Sequence, residues 1–336
     1  MPLIAKVGRR RFKVRLLIGA ITSILWIGVA LHLFPVWWMF TTSLKPAREI
    51  FEFPPSLWPK SPSFICYKLI FELSAGTWAG GNIRVLDYPI YVYIKNSIIM
   101  AGGIMCLQIP FTALMGYALS KLYSSRWSRI VFLFCIGTLM IPGEVSLIPS
   151  YLILRHFPFP TKHIPVIPFT NILFPHYNFL DSYWAVILPG MYSAFNVLLF
   201  KGFFDGIPTE LVNAARLDGA SELGIIRRII IPVSKPVFAV VTYFSFSSAW
   251  NQFMWPLIVI RNNKLMPLSV ILYKFQFALT QAPPTGKTPE EQRLMAAGVG
   301  YNGLMALSFI ESIPVFIMFL IFREQLMTGI KLRGFK

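Results

Sequence analysis

The chain has 336 residues, of which 55% are hydrophobic, 15% aromatic and only 13% charged, and its mean hydropathy is +0.61. Soluble domains carry roughly 25% charged residues, so this composition excludes an ordinary soluble protein and indicates a membrane protein. The net charge of +17 does not indicate a nucleic-acid partner, because the basic residues form no patch within a soluble domain.

Six stretches of the chain are long and apolar enough to cross a bilayer, which takes about 20 residues. Backbone polar groups in lipid must be satisfied within their own segment, so each stretch is expected to be a helix. The first follows a basic N-terminus, and no small-residue cleavage site comes after it, so we expect it to stay as an anchor. The predicted spans are residues 16–40, 94–119, 130–148, 183–203, 236–259 and 300–322.

The distribution of lysine and arginine predicts which segments face the cytoplasm. With the N-terminus inside, the inner segments carry these residues at a higher density than the outer loops, so both termini are expected to be cytoplasmic. The predicted inner segments are 1–15, 120–129, 204–235 and 323–336, and the predicted outer loops are 41–93, 149–182 and 260–299.

The outer loops are long and rich in proline and aromatic residues, which favours a folded cap that contacts another molecule. The three cysteines indicate no disulfide framework, because Cys106 and Cys135 fall within predicted helices and only Cys66 lies in an outer loop.

The inner segment 204–235, called here the 204–235 loop, is polar in an otherwise apolar chain. Residues 210–216 have strong helical propensity, and Asp218-Gly219 then predicts a sharp turn. Ser221 is placed to cap a second helix, which the prolines at 232 and 236 end. From these residues alone, an amphipathic helix pair in the membrane interface and a docking element for another protein are equally favoured.

The loop also carries a recognisable order of residues. Asn213-Ala214-Ala215, Asp218-Gly219-Ala220, Ile226, Ile229 and Pro232 resemble the cytoplasmic loop signature of permease subunits of binding-protein-dependent ABC importers. The segments Lys95-Asn96-Ser97, 140–151, 245–257 and 322–336 agree with this resemblance. From Leu16 onward the chain is similar to the sugar-importer branch of the family and to the second permease subunit of maltose-type transporters.

The resemblance implies an all-α integral membrane protein with six transmembrane helices. It would have the type I ABC importer permease architecture, with a cytoplasmic coupling helix and long extracytoplasmic loops, in a prokaryotic inner membrane. The coupling helix would sit in a cleft of a cytoplasmic ATPase. The residues that the resemblance and the charge pattern place at this docking surface are Glu210, Asn213, Ala214, Ala215, Asp218, Gly219, Ala220, Leu223 and Ile226.

One position departs from the family pattern. Asn213 stands where the family usually has glutamate, whose carboxylate would make a charge-assisted contact. Glu210 lies three residues earlier, on nearly the same helical face. We hypothesise that Glu210 supplies the carboxylate instead.

The implied function is import of a sugar, with an oligosaccharide favoured, driven by ATP hydrolysis in partner chains. This subunit would be non-catalytic and hold no cofactor, with ATP and Mg bound by the partners. The expected partners are a second permease subunit in a heterodimer, two cytoplasmic ATP-binding subunits, an extracytoplasmic substrate-binding protein that touches the outer loop 261–293, the sugar, and membrane lipid. The alternatives are a permease for a polyol or glycerol-phosphate, a stand-alone channel, and a membrane enzyme.

Polar residues within the predicted spans are candidates for the substrate path, because such residues are costly in lipid and tend to face cavities or neighbouring helices. The alternative for each is a hydrogen bond between helices. The candidates are Tyr192, Asn196, Ser248, Trp250, Asn251, Gln252 and Glu311.

Three other patterns are expected to have no chemical role. The G-x-G-x-x-G match at 298–303 opens a predicted span instead of following a strand, and Thr285–Thr288 lacks the first glycine of a phosphate-binding loop. His156, His163 and His176 match no standard metal-site spacing, so no metal is expected.

Overall fold

The computed structural model describes residues 12–72, 88–122, 126–156, 178–280 and 300–332. Every regular element in these ranges is a helix, so the predicted all-α class is confirmed. The α-helices, numbered in chain order, are α1 (Phe12–Ser43), α2 (Ile65–Glu72), α3 (Ile90–Tyr117), α4 (Arg126–Thr138), α5 (Leu147–Arg155), α6 (Trp184–Ile187), α7 (Ala194–Asp205), α8 (Thr209–Leu217), α9 (Glu222–Ile225), α10 (Ile231–Val233), α11 (Lys235–Asn251), α12 (Met254–Val259), α13 (Leu268–Thr280) and α14 (Tyr301–Leu332).

Shorter helical turns join or extend these elements. A π-turn at Ala118–Leu122 continues α3, and a second at Ile226–Ile230 joins α9 to α10. The 3₁₀ turns are Glu49–Phe51, Gly143–Ser146, Pro189–Met191 and Asn263–Leu265.

Several helices in the described part of the chain are long and apolar enough to cross a membrane. Four qualify singly, and two bent pairs qualify together, which gives up to six spans. The chain is therefore a multi-pass membrane protein. The four are Val14–Ser43, Ile90–Leu122, Trp184–Asp205 and Tyr301–Met327, and the pairs are Arg126–Thr138 with Gly143–Arg155 and Glu222–Val233 with Lys235–Asn251.

The predicted span 130–148 falls on two helices bent by 97° with respect to each other. The bend follows from Pro142, because the residue before a proline is driven out of the helical region. The chain turns between Thr138 and Gly143 and continues through a 3₁₀ turn into α5.

The predicted span 236–259 also contains two helices, α11 and α12, separated at Gln252 and Phe253. Pro256 explains the break, because its ring has no N–H to donate to the carbonyl four residues earlier. That carbonyl belongs to Gln252, and it accepts a hydrogen bond of 2.9 Å from the Ser269 hydroxyl instead.

The described residues form two compact units, one built around residues 12–70 with 300–310 and the other around 88–277 with 311–332. In the first unit a polar cluster fixes the segment after α1. The Glu49 carboxylate accepts hydrogen bonds from the Ser56 hydroxyl (2.7 Å) and the Lys60 backbone N–H (2.9 Å). Burial alone would raise the pKa of Glu49, but these two donors and the charges of Lys45 and Lys60 hold it below its usual value.

The core of the second unit lies where α3 and α7 meet the 204–235 loop. Its aromatic members include Phe200 and Phe204, whose ring centroids are 5.6 Å apart. A Cβ added at Gly116 would lie 2.7 Å from the Phe200 Cβ, so glycine permits the close approach of α3 and α7. The buried members of this core are Ala113, Tyr117, Phe200, Phe204, Ile207, Val212, Ile225, Ile230, Val237 and Val241.

Candidate functional site

The 204–235 loop folds as the predicted helix–turn–helix. Helix α8 ends in a Schellman motif, in which Gly219 N–H donates to the Arg216 carbonyl and Ala220 N–H to the Ala215 carbonyl, each at 3.0 Å. The motif needs a left-handed residue, and Gly219 has φ +79°. The Ser221 hydroxyl then caps α9 by accepting from Gly224 N–H at 3.2 Å.

The loop has one face buried in its own subunit and one face exposed. Val212 and Ile225 are fully buried in the core. On the other face, Leu217 is 90% exposed and Leu223 is 73% exposed. Large apolar side chains at this exposure on a polar helix pair mark a surface suited to a protein partner.

Most of the predicted docking residues lie on the exposed face. Ala215 and Ile226 are half-buried and pack against the core, so part of each side chain is already in contact with its own chain. The exposed ones are Glu210, Asn213, Ala214, Asp218, Gly219, Ala220 and Leu223.

A polar network that the sequence reasoning missed ties the loop to the end of α3. The Arg216 guanidinium Nε donates to Glu222 Oε1 at 2.7 Å, and the Tyr117 hydroxyl donates to Glu222 Oε2 at 2.6 Å. These hydrogen bonds, first from Arg216 and then from Tyr117, hold the pKa of Glu222 below its usual value. Arg216 Nη1 also donates to Asn213 Oδ1 at 3.2 Å.

A second group of hydrogen bonds between the loop and α3 lies beside this network. Lys121, which is buried in the π-turn after α3, donates from Nζ to the Ile207 carbonyl at 2.6 Å. The Lys121 carbonyl in turn accepts from Arg216 Nη2 at 3.3 Å. The entry to the loop and both of its helices are thus bonded to the same end of α3, through Ile207, Arg216 and Glu222.

A cavity of about 540 Å³ opens in the second unit, lined by residues of α3, α5, α7, α11 and α12 and the turns beside them. Its lining combines hydroxyl and amide groups with aromatic rings. The residues are Ile104, Gln108, Gly143, Ser146, Leu147, Ser150, Pro189, Gly190, Tyr192, Ser193, Phe195, Asn196, Phe244, Ser245, Ser248, Ala249, Gln252 and Trp255.

Four of the seven predicted path residues line this cavity, namely Tyr192, Asn196, Ser248 and Gln252. The other three lie elsewhere. Trp250 is buried and bonded to the Glu311 backbone, Asn251 donates to the Ser247 carbonyl at 2.9 Å, and Glu311 is buried on α14.

Asn196 serves the packing of helices as well as the cavity. Its Nδ2 group donates to Gln108 Oε1 (3.0 Å) and to the Ser245 hydroxyl (2.9 Å), and Gln108 Nε2 donates to the Gly190 carbonyl at 2.7 Å. The amide therefore joins α7 to α3 and α11. Gln108, a buried amide in a predicted span, was missed although the criterion that selected Asn196 applies to it.

The G-x-G-x-x-G match at 298–303 has a structural role in its described part, residues 300–303. Asn302 caps the start of α14 by accepting from the backbone N–H groups of Gly300 (2.7 Å) and Gly303 (2.9 Å), and its Nδ2 donates to the Lys45 carbonyl at 3.1 Å. Residues 285–288, His163 and His176 lie outside the described ranges. Among the residues that are described, no group of three or more His, Cys, Asp or Glu could hold a metal ion.

The segment 261–293, predicted to be an outer loop, is described as far as residue 280. Its start is fixed by Asp181, whose Oδ1 accepts from the backbone N–H groups of Arg261 (3.0 Å) and Asn262 (2.8 Å).

Comparison with known proteins assigns the chain to a family. Residues 108–324 match the binding-protein-dependent transport system inner membrane component family. The chain is 28% identical over 308 residues to the arabinooligosaccharides transport system permease protein AraQ of Bacillus subtilis (strain 168), covering 91% of each chain. It is 31% identical over 243 residues to the sn-glycerol-3-phosphate transport system permease protein UgpE of Salmonella typhimurium (strain LT2), covering 72% of this chain and 76% of that protein.

The fold is shared with a solved structure. A chain in the crystal structure of a bacterial ABC transporter involved in the import of the acidic polysaccharide alginate superposes with a TM-score of 0.69 at 20% identity, covering 97% of this chain and all of that chain.

Proposed function

The chain belongs to the family of inner membrane components of binding-protein-dependent transport systems and has the type I importer permease fold, and from this premise we propose that it carries an oligosaccharide into the cytoplasm as one permease subunit of an ABC importer. In this role it is a non-catalytic subunit. ATP and Mg are held by two partner ATP-binding subunits, a second permease completes the membrane pathway, and a substrate-binding protein delivers the sugar on the outer side.

The observation that carries the docking role is that one face of the 204–235 loop is buried and the opposite face is exposed. Val212 and Ile225 are buried in the core of this subunit, while Leu217 and Leu223 are exposed on the opposite face. Burying a leucine side chain stabilises a complex by roughly 1.5–3 kcal/mol, so these two residues are the natural apolar contacts for an ATP-binding subunit. The density of basic residues supports placing this loop and both termini in the cytoplasm.

The lining of the cavity supports a sugar substrate. Binding sites orient a polar solute with a few hydroxyl and amide groups set among aromatic side chains. Gln108, Ser248 and Gln252 supply such groups here, and Tyr192 and Trp255 supply aromatic surface. A phosphoryl group, in contrast, is usually held by arginine or lysine, so this lining favours an oligosaccharide over glycerol-phosphate.

Copurification tests the docking role. A tagged chain extracted from its native membranes is expected to carry an ATP-binding subunit and a second permease. Leu223→Asp should release the ATP-binding subunit, because it places a charge in the apolar contact. Leu57→Asp is the matched control, since Leu57 is 62% exposed but belongs to the segment after α1. Retention of the ATP-binding subunit by Leu223→Asp would contradict the proposed docking surface.

The substrate class is tested with the purified importer in proteoliposomes together with its binding protein. We expect neutral oligosaccharides to stimulate ATP hydrolysis and to accumulate inside the vesicles. Stimulation by glycerol 3-phosphate or by a polyol, with none by any oligosaccharide, would instead establish the alternative substrate class.

A further inference from the structure

We propose that Tyr117, Arg216 and Glu222 act as a positioning clamp, which transmits a displacement of the 204–235 loop along α3 to the wall of the cavity. The proposal rests on the proposed docking role of the loop. It goes beyond that role because it assigns the mechanical link to side chains that bond to one another within this chain.

The first step is the bonding at the loop. Glu222 starts α9, on the far side of the turn at Gly219, and Arg216 lies on α8 before that turn. Their ion pair, at 2.7 Å, closes the turn and makes the two short helices one body. The pair is partly exposed, with side-chain accessibilities of 32% and 41%, so solvent weakens it and a buried partner is needed to fix its position.

Tyr117 is that buried partner. It is 2% exposed, at the last residue of α3, and its hydroxyl donates to Glu222 at 2.6 Å. A hydrogen bond to a carboxylate is shorter and stronger than one between neutral groups. The neighbouring bonds of Lys121 to the Ile207 carbonyl and of Arg216 to the Lys121 carbonyl join the same helix end at separate points. Several separated bonds resist rotation as well as translation, so the loop and the end of α3 move together.

The second step is along α3. Gln108 and Tyr117 lie on the same helix, nine residues and roughly 14 Å apart along its axis. Gln108 lines the cavity and is bonded to Asn196 on α7 and to the Gly190 carbonyl. A shift of α3 therefore changes the position of Gln108 against the opposite wall. The connection is therefore continuous: the exposed loop is bonded through Glu222 to Tyr117, and Tyr117 lies on the same helix as Gln108.

The test uses the complete importer in nanodiscs and a reporter that does not depend on the identity of the substrate. Ser248→Cys places a thiol at the cavity, in a background in which Cys66, Cys106 and Cys135 are replaced by alanine. The rate of labelling by a membrane-impermeant maleimide is measured with and without AMP-PNP and Mg²⁺. With the clamp intact, the nucleotide is expected to change this rate.

Glu222→Gln and Tyr117→Phe should each shrink the nucleotide-induced change by roughly fivefold or more while the ATP-binding subunit still copurifies. Because the two residues act as one unit, the double variant should be no worse than the more severe single variant. Arg216→Lys should retain more of the response than Arg216→Gln, since it keeps the charge. Glu52→Gln is the matched control, because Glu52 forms an exposed ion pair with Lys60 in the first unit that is not part of the clamp.

Three outcomes would overturn the proposal. If nucleotide changes the labelling rate in Glu222→Gln and Tyr117→Phe as much as it does with the clamp unaltered, the mechanical link does not pass through these residues. Loss of the ATP-binding subunit from these variants would show that the network only shapes the docking surface. If no ATP-binding subunit copurifies with the unaltered chain, the proposed function itself fails, and the clamp fails with it.

Discussion

The indole N–H of Trp250 donates a hydrogen bond of 3.0 Å to the backbone carbonyl of Glu311, and this joins the last turn of α11 to α14. Trp250 is 2% exposed and stacks on Phe246, with ring centroids 5.5 Å apart. The side chain is therefore fixed at its N–H edge and on one face by residues of its own chain.

Trp250→Phe should lower the free energy of unfolding by about 1 kcal/mol from the lost hydrogen bond, with a further loss from the smaller ring. The change is measurable as an earlier thermal transition with a thiol-reactive dye in a Cys106→Ala background, because Cys106 is exposed whereas Cys66 and Cys135 are buried until the chain unfolds. Trp184→Phe, at a position 53% exposed, should leave the transition in place. Unchanged stability together with abolished uptake would instead favour direct contact of Trp250 with the solute.

Glu311→Ala should reduce uptake more than it reduces assembly with the partner chains. Glu311 is the acidic residue among the predicted path residues, and its 8% exposure within α14 makes it costly unless it faces a cavity or a neighbouring subunit. Uptake into proteoliposomes and copurification of the partners are measured on the same preparation, with Glu311→Gln as the variant of equal shape. Equal loss of uptake and assembly would indicate a purely structural role.

Gly219→Val should release the ATP-binding subunit while leaving the membrane helices folded. A β-branched residue at φ +79° strains the turn by about 1–3 kcal/mol, and the surrounding space is open, so the strain is confined to the backbone. Copurification and the thermal transition are measured together. Gly202→Ala, also in open space but in a regular helix, should match the unaltered chain in both. Full docking by Gly219→Val would show that the turn is not required.

Glu210→Gln should weaken docking by roughly tenfold, because a hydrogen bond to a charged group contributes about 1.5–3 kcal/mol. Adding Asn213→Glu should restore it, since residue 213 lies one helical turn away on the same exposed face and Arg216 already donates to it at 3.2 Å. The measurement is the dissociation constant of the purified ATP-binding subunit for the chain in nanodiscs. If Glu210→Gln binds as tightly as the unaltered chain, the carboxylate hypothesis is dropped.

Sequence reasoning succeeded where local rules decide the structure. The turn at Gly219 and the cap at Ser221 depend on backbone angles and on donors within a few residues, so they could be predicted without knowledge of the fold. The break before Pro256 could also have been predicted from its missing N–H. It was missed because a hydropathy window averages over such a break.

The clamp and the cavity depend on packing between distant segments, which spacing along the chain does not reveal. Tyr117 and Glu222 are 105 residues apart, and Asn196 and Gln108 are 88 apart. Trp250 illustrates the ambiguity: an aromatic residue beside an amide suits a sugar site and a buried core equally, and only the burial of its ring distinguishes the two.

The break between α11 and α12 makes one wall of the cavity dependent on a helix that does not line it. Because Pro256 has no N–H, the Gln252 carbonyl accepts a hydrogen bond from the Ser269 hydroxyl on α13, and Gln252 itself lines the cavity. The position of this lining residue is therefore held from α13. A substitution at Ser269 can change the shape of the cavity without any contact between residue 269 and the solute.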